Sequence, residues 1–484
     1  MRLVTAAESL EIDCHSLGAL SSDHWLEIAG REMASEVYQR CGSKSLLFLC
    51  GPGNNGADGY VVARNLFMRG HKNIIVIKSD STSELNQQKL NEIKKLNLKV
   101  YSVEQIEETE LIRLLKDHLV IDAVFGVGLS KQIQAPWKNI FQIINKKSKL
   151  TISLDIPSGL DATTGNILGE CIQAHHTLVV APFKSGLFLN EGPAMAGQLH
   201  KIDIGFPVEI VKDQAKSVRL IGANTCKKLR PHRQWSSNKT HFGHVLIVGG
   251  STGFEGAAIL TAEAALRSGA GYVSVLSDSE KIYRRAAPDY LIQDFSEFEN
   301  ILKQKNISSV IFGPGLKISD RAQEIYKKLK TTSIPVVFDA GGFSFFKSEP
   351  KKLPANWIST PHAGELSRLI QIPAKDLEKN RLEAAAKAAD KIGGVILFKG
   401  FHTVVHSAGV NYIIASGNPS LAKSGTGDVL SGLIGSYLAQ GLSPEKAAVL
   451  GAWVHGDLAD QRIRQGKSLD SLMASDLIEG LKNL

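Results

Sequence analysis

The chain has 484 residues, 43% of them hydrophobic and 21% charged, which is ordinary for a globular protein but long for one core, so two domains are expected. No uninterrupted apolar run reaches the ~18 residues of a membrane helix, and the opening MRLVTAAESLEIDCHSLG carries acids where a signal peptide is apolar, so a cytoplasmic protein is expected. The net charge of +8 is dispersed among acids, so nucleic acid is not an expected partner, and the five cysteines form no CxxC pair, which argues against a disulfide framework or a zinc site.

The first ~40 residues read as helical, with Leu26, Ile28, Ala29, Met33 and Val37 roughly on one face. From Ser45 the segments SLLFLC, NIIVIKS, LVIDAVFG, LTISLDIPSG and HTLVVAP are short apolar runs separated by helix-length stretches, the pattern of buried parallel strands joined by crossover helices. The polar segment FPVEIVKDQAKSVRLIGANT has no strong period, and a domain boundary is expected near residue 215, dividing the chain into 1–215 and 216–484. HVLIVGG, AGYVSVL, SSVIFGPG, PVVFDAGG, WISTPH, GVILFKG and TVVHSAG then repeat the strand, glycine turn and helix alternation. The predicted fold class is therefore α/β in both halves, with ligand sites beyond the C-terminal ends of the strands.

Three strand ends of the first half carry polar groups. SLLFLC runs into Gly51-Pro52-Gly53-Asn54-Asn55-Gly56-Ala57-Asp58, read as a tight glycine loop before a helix, whose adjacent N–H groups suit a phosphate or a polar ring. It is neither a GxGxxG fingerprint nor a P-loop. Asp122 and Gly126-Val127-Gly128 follow the next strand, and Asp155-Ile156-Pro157-Ser158-Gly159 another. Asn55, Asp122 and Ser158 are hard oxygen donors that could close around a monovalent cation, or serve only as turn residues. Asp155 stands where an acid or base is expected, though Asp before Ile-Pro can also fix the turn.

In the second half, Gly249-Gly250-Ser251 opens a helix containing Ala257, and Gly313-Pro314-Gly315 ends another strand. Thr360-Pro361-His362-Ala363-Gly364-Glu365 places a histidine at a strand end, where it is either structural or part of a site. Lys399-Gly400-Phe401-His402-Thr403 offers a lysine to a nucleotide phosphate. Ser424-Gly425-Thr426-Gly427-Asp428 leads into an apolar helix, so unpaired N–H groups at its positive end form an anion site. Asp428 beside them is either a helix cap or the general base that takes a proton from a substrate hydroxyl as a phosphoryl group arrives.

GPGNNGADGYVVAR and LDIPSGLDATTG closely resemble the N-terminal epimerase domain of the bifunctional NAD(P)H-hydrate repair enzymes over most of residues 1–210. The resemblance implies that Asn54, Asn55, Gly56, Ala57, Asp58, Gly126, Val127, Gly128, Leu129, Ser130, Lys131, Gln132 and Asp155 contact the hydrate, with Asp155 catalytic, and that Asn55, Asp122 and Ser158 bind potassium (K+). The family loop reads NNGGD, so Ala57 is a departure, costing about 1 kcal/mol if the position needs positive φ. PHAGE, KGxxT and GNPxLAxxGTGDVLxG resemble ribokinase-like kinases, and with GGS and RSGAGYVSV they resemble the ADP-dependent dehydratase domain of the same enzymes over residues 225–484. That implies an N-terminal Rossmann-like parallel sheet and a C-terminal ribokinase-like α/β domain. It also implies that Ala257, Gly315, His362 and Asp428 face the S-hydrate, with Asp428 catalytic, while Lys399, Gly400, Phe401, His402, Thr403 and Gly427 hold the nucleotide. Ala363 replaces the second proline of TPHPGE, and Gly341-Gly342 replaces a DALN-like segment.

The implied activity is repair of NADHX and NADPHX: epimerisation of their R and S forms, then dehydration of the S form with ADP as phosphoryl donor, AMP and phosphate as products and Mg2+ alongside. The expected partners are these small molecules, with no membrane, and a homo-oligomer is expected. A thiazole- or pyridoxal-type small-molecule kinase is the competing reading of the second half, and a nucleotide-binding regulatory module that of the first.

Overall fold

The computed structural model describes all residues except 81, 280, 283–287, 305, 349, 350 and 484. It divides into two compact units, Arg2–Val218 and Arg219–Leu484, with Met1 grouped with the latter.

In the first unit, helices Ala6–Ser16 and Ser22–Cys41 precede seven strands: β1 (Ser45–Cys50), β2 (Ile74–Lys78), β3 (Lys99–Ser102), β4 (His118–Ala123), β5 (Thr151–Leu154), β6 (His176–Val180) and β7 (Gln198–Ile202). All are parallel, in the order β3-β2-β1-β4-β5-β6-β7, so the order reverses between β1 and β4 and a crevice opens there. Cys50 pairs with Ala123, which brings the two chain segments off the sheet at the same level. Strands β3 and β7 escape the apolar pattern because edge strands are buried on fewer sides, and Lys99–Ser102 has no fully buried residue.

The second unit contains β8 (His244–Val248), β9 (Tyr272–Leu276), β10 (Leu291–Gln293), β11 (Ser309–Phe312), β12 (Val336–Phe338), β13 (Leu353–Ser359), β14 (Gly393–Phe398), β15 (Val404–Ser407) and β16 (Val410–Ile414). Their order is β16-β15-β14-β13-β12-β11-β8-β9-β10. Six of the contacts are parallel, whereas β14-β15 and β15-β16 are antiparallel, because the short turns Lys399–Thr403 and Ala408-Gly409 each bring the chain straight back where a crossover helix would otherwise run. The segment read as a polar linker holds a helix at Val208–Gln214, a strand at Val218–Ile221 and a helix at Ala223–Leu229.

The helix Thr426–Ala439 is buried almost from end to end and lies within the second unit's core. Two glycines let it approach so closely: a Cβ on Gly432 would stand 2.4 Å from the Thr261 carbonyl oxygen, and one on Gly435 2.4 Å from Ile311 Cδ1. Close packing on both sides fixes the helix, and with it the position of Asp428 in its first turn.

Candidate active sites at two sets of strand ends

The first unit holds a cavity of about 590 Å³ at the β1/β4 switch point. Asn54, Asn55, Asp58, Gly126, Val127, Gly128, Leu129, Ser130, Lys131 and Asp155 line it. Gly56 and Ala57 are instead buried, and Gln132 is exposed outside the lining. NNGAD is not a loop: the helix Asn54–Met68 begins at Asn54, and Ala57 is a buried helical residue with no positive φ. The conformational cost attached to alanine at this position therefore does not arise. The glycines that matter are its neighbours. A Cβ on Gly56 would meet the Gly51 carbonyl oxygen at 2.0 Å, and one on Gly51 the Val124 carbonyl oxygen at 1.9 Å, so the turn closes only without side chains.

Asp122 is fully buried, and four neutral donors hold it. Ser158 Oγ donates to Oδ1 at 2.5 Å and the Val124 N–H at 3.3 Å, while Ser153 Oγ donates to Oδ2 at 2.7 Å and the Ser158 N–H at 2.9 Å. Burial raises its carboxyl above the usual range, and these hydrogen bonds oppose the rise. The Phe125 N–H donates to Ser158 Oγ at 2.8 Å, and the next residue, Gly126, lies against Asn55. Both polar atoms of the Asn55 amide are buried with no hydrogen-bond partner among the described residues. An orphaned amide near a buried carboxylate with only neutral donors is a donor set that suits a cation of hard-oxygen preference.

Asp155 adopts φ +64°, a left-handed conformation that a non-glycine residue keeps only when its surroundings hold it there. Backbone hydrogen bonds fix that turn, with the Asp155 N–H donating to the Leu178 carbonyl and the Ile156 N–H to the Leu154 carbonyl, both at 2.8 Å. Lys184, 2% exposed, fixes the side chain: its Nζ donates to Asp155 Oδ1 at 2.5 Å and to the Val180 carbonyl at 2.7 Å. The Val180 N–H donates to the same carboxylate oxygen at 3.1 Å. Asp13, from the first helix, also lines the cavity, and the walls around it push its carboxyl up to about 6, with Lys184 opposing and Asp155 adding. Sequence reasoning passed over Asp13 and Lys184. The lysine had a readable signal, a charge in APFKSG just beyond an apolar strand, whereas Asp13 sits on a polar helix face like any solvated acid.

In the second unit, Gly425 (φ +87°) caps the helix Thr426–Ala439, and Asp428 is the acid of its first turn. The N–H groups of Thr426, Gly427 and Asp428 precede the first intrahelical donor, Val429, and have no backbone acceptor among the described residues, which suits an anion. Thr426 Oγ1 donates to the Leu421 and Lys423 carbonyls, and buried His455 pairs through Nε2 with the Thr426 carbonyl at 2.9 Å, so the turn is braced from below. Lys399 Nζ lies 3.1 Å from Asp339 Oδ1, 3.7 Å from Glu365 Oε2, and 3.6 Å from where a Cβ on Gly427 would be. Ser431 Oγ donates to Asp339 Oδ2 at 2.8 Å. Asp428 is half-buried, and desolvation first, then the nearby Asp339, raises its carboxyl to about 7, with Lys399 opposing. It is therefore not spent as a cap; the cap is a glycine.

Ala257 and Gly315 come together: a Cβ on Gly315 would sit 3.1 Å from the Ala257 methyl. His362 caps the helix Ala363–Ile370, its Nδ1 accepting from the Gly364 N–H at 3.0 Å, while Glu365 accepts from the His362 N–H at 2.9 Å. Ala363 is thus the first helical residue, where proline is well tolerated. Ala363→Pro should raise unfolding stability by about 0.4–1 kcal/mol through loss of unfolded-state freedom, read from urea unfolding monitored over the second unit. In Lys399–Thr403, Phe401 stacks on His402 with ring centroids 4.1 Å apart, and Thr403 Oγ1 donates to the Gly400 carbonyl. Beneath the loop, sequence reasoning missed Arg381: it is 3% exposed, donates to the Phe398 carbonyl at 3.0 Å, and its guanidinium would stand 2.6 Å from a Cβ on Gly400. The Gly341-Gly342 departure is also steric, since a Cβ on Gly341 would stand 2.1 Å from the Leu316 carbonyl oxygen.

These features define a two-domain α/β protein with one cavity rich in carboxylates and one helix terminus whose outward donors stand beside a perturbed acid. Comparison with known proteins agrees with that class. The family described as NAD(P)H-hydrate dehydratase matches residues 245–483, and the YjeF-related protein N-terminus matches residues 22–186. The bifunctional NAD(P)H-hydrate repair enzyme Nnr of Moorella thermoacetica is 34% identical, with 99% of this chain and 96% of that protein covered. That of Escherichia coli K12 is 33% identical, over 90% of this chain and 84% of that protein. A solved ADP/ATP-dependent NAD(P)H-hydrate dehydratase from Bacillus subtilis, co-crystallized with ATP/Mg2+, is 28% identical over 53% of this chain and 95% of that chain, with a TM-score of 0.49. The chain belongs to the family of bifunctional NAD(P)H-hydrate repair enzymes.

Proposed function

We propose that the chain repairs hydrated nicotinamide cofactors: its first unit interconverts R- and S-NAD(P)HX, and its second dehydrates the S form with ADP, giving AMP and phosphate. The observation that carries this reading is Asp428, a half-buried carboxylate with its acid raised to about 7, set beside free helix N–H groups and Lys399. Hydration leaves a hydroxyl at C6, a poor leaving group. Asp428 takes its proton as the oxygen attacks the β-phosphoryl group of ADP, and the N–H groups of the Thr426–Asp428 turn and the Lys399 ammonium stabilise charge on the transferred group. Phosphate then leaves C6, and loss of a proton from C5 restores the dihydropyridine. Ala257, Gly315 and His362 would border the nicotinamide, and Lys399–Thr403 with Gly427 the nucleotide.

Asn55, Asp122 and Ser158 would hold K+, which would neutralise the buried Asp122 carboxylate and order the Phe125–Gly126 wall. Asp339 and Glu365 already face Lys399, so Mg2+ would arrive on the nucleotide phosphates. Among the described residues no helix is long and apolar enough to cross a membrane.

The test is to incubate purified protein with mixed R- and S-NADHX and ADP while following absorbance at the NADH band. Full return of NADH from both epimers is expected. Return of the S fraction alone would remove the epimerase assignment, and accumulation of a stable phosphate ester would replace the dehydratase with a kinase.

A further inference from the structure

Inverting C6 of a cyclic hemiaminal through its open aldehyde needs two groups that exchange protons in opposite senses, and Asp155 supplies only one. The inference that follows rests on the epimerase reading of the first unit. The cavity of about 590 Å³ brings together Asp155, Lys184, Asp58 and, from the helix Ala6–Ser16, Asp13. Lys184 is committed: its ammonium bonds both the Asp155 carboxylate and the Val180 carbonyl, and it is buried. Asp13 has no such partner on its own helix, and that helix is fixed at its start by a capping box between Thr5 and Glu8, so the carboxyl is presented to the cavity by a rigid element.

We propose that Asp13 is the second proton-transfer residue of the epimerase cavity, acting against Asp155, and that Lys184 is the positioning residue that holds the Asp155 carboxylate in place. In ring opening, the Asp155 carboxylate takes the C6 hydroxyl proton, the C6–N1 bond breaks with its electron pair going to N1, and the Asp13 carboxyl gives N1 its proton. C6 becomes an aldehyde carbon. Rotation about C5–C6 presents the other face, and closure reverses each transfer: N1 attacks C6, its proton returns to Asp13, and Asp155 protonates the new hydroxyl. No redox partner is needed, and the Asp13/Asp155 pair carries one proton throughout.

Among the described residues, Lys184, Asp155 and Asp58 are the charged groups that interact with Asp13, and Lys131 lines the same cavity. Burial, reinforced by Asp155 and then Asp13 and opposed by Lys184, holds the Asp58 carboxyl well above the ordinary carboxylate range. Asp13, raised to about 6, is suited to both states near neutrality. Opening requires its protonated form, so kcat/KM for epimerisation should fall as pH rises through about 6.

The experiment uses the full chain and purified R-NADHX without ADP, with the two epimers separated chromatographically. Asp13→Asn should lower kcat by about 100-fold or more, leave KM within about threefold and abolish the fall near pH 6. Lys184→Arg should recover most of the epimerase rate that Lys184→Met loses. Should Lys184→Met fail to fold, Asp13→Asn decides alone, since the Asp13 side chain is exposed to the cavity and its melting temperature provides a check. An Asp13→Asn protein with kcat within threefold of wild type, or with the same pH limb, overturns the proposal while the epimerase reading stands. A wild-type protein that does not accelerate interconversion above buffer overturns that reading, and the proposal with it.

Discussion

Replacing Asp428 with asparagine is expected to lower the rate of S-NADHX dehydration by about 10²–10⁴-fold, the usual contribution of a positioned general base. The amide keeps the volume and the helix start, so the Thr426–Asp428 N–H groups and Lys399 remain in place to bind phosphate. The loss should fall on kcat. The pH dependence gives a second reading of the same group. Only the carboxylate accepts a proton, so the wild-type rate should climb through about pH 7 and then level, and Asp428→Asn should lose that limb. Stability moves the other way. The folded protein binds this proton more tightly than the unfolded chain, so wild-type stability falls as pH rises from about 4 to about 7, the window between the ordinary and the raised value. At pH 8 Asp428→Asn should therefore unfold at higher denaturant than wild type while being almost inactive. An inactive variant that is also less stable at that pH would point to damaged packing instead of a missing base.

Asp122→Ala should be the most destabilising single change in the first unit. It strips an acceptor from the hydroxyls of Ser153 and Ser158 and from the N–H groups of Ser158 and Val124, in a site with no water access. Each buried donor left without a partner costs about 1–3 kcal/mol, partly offset because the cost of burying the carboxylate also disappears; a net loss of about 3–5 kcal/mol is expected. Hydrogen exchange read across 118–126 and 151–159 should speed up while the second unit is unaffected. Asp122→Asn, which keeps an acceptor, should fold better and yet lose any K+-dependent rise in melting temperature. If Asp122→Asn still gains stability from K+ and not from Na+, the cation binds elsewhere.

The strands that carry both sites were legible because parallel strands covered on both faces must be apolar throughout, as SLLFLC and HVLIV are. Edge strands such as Lys99–Ser102 lack that requirement and left no mark. Glycine positions were legible as turns, but not the reason for each: Gly56 answers to a carbonyl five residues earlier in the chain, whereas Gly400 answers to Arg381. Asn54 was read as loop because asparagine and glycine are poor helix formers, yet the first turn of a helix tolerates both when strand and helix meet this tightly.

Residue order by itself determined the two α/β halves, the helix terminus at Gly425–Asp428 and the acids that stand at strand ends, since each follows from local periodicity and from the unpaired donors of a helix start. Only the tertiary structure decided what those acids can do. Lys184 meets Asp155 across 29 positions, Lys399 meets Asp339 across 60, and Asp13 reaches the same cavity as Asp155 from the other end of the unit. A carboxylate's proton affinity depends on the charges and the solvent around it, and those are set by neighbours in space that no local pattern records.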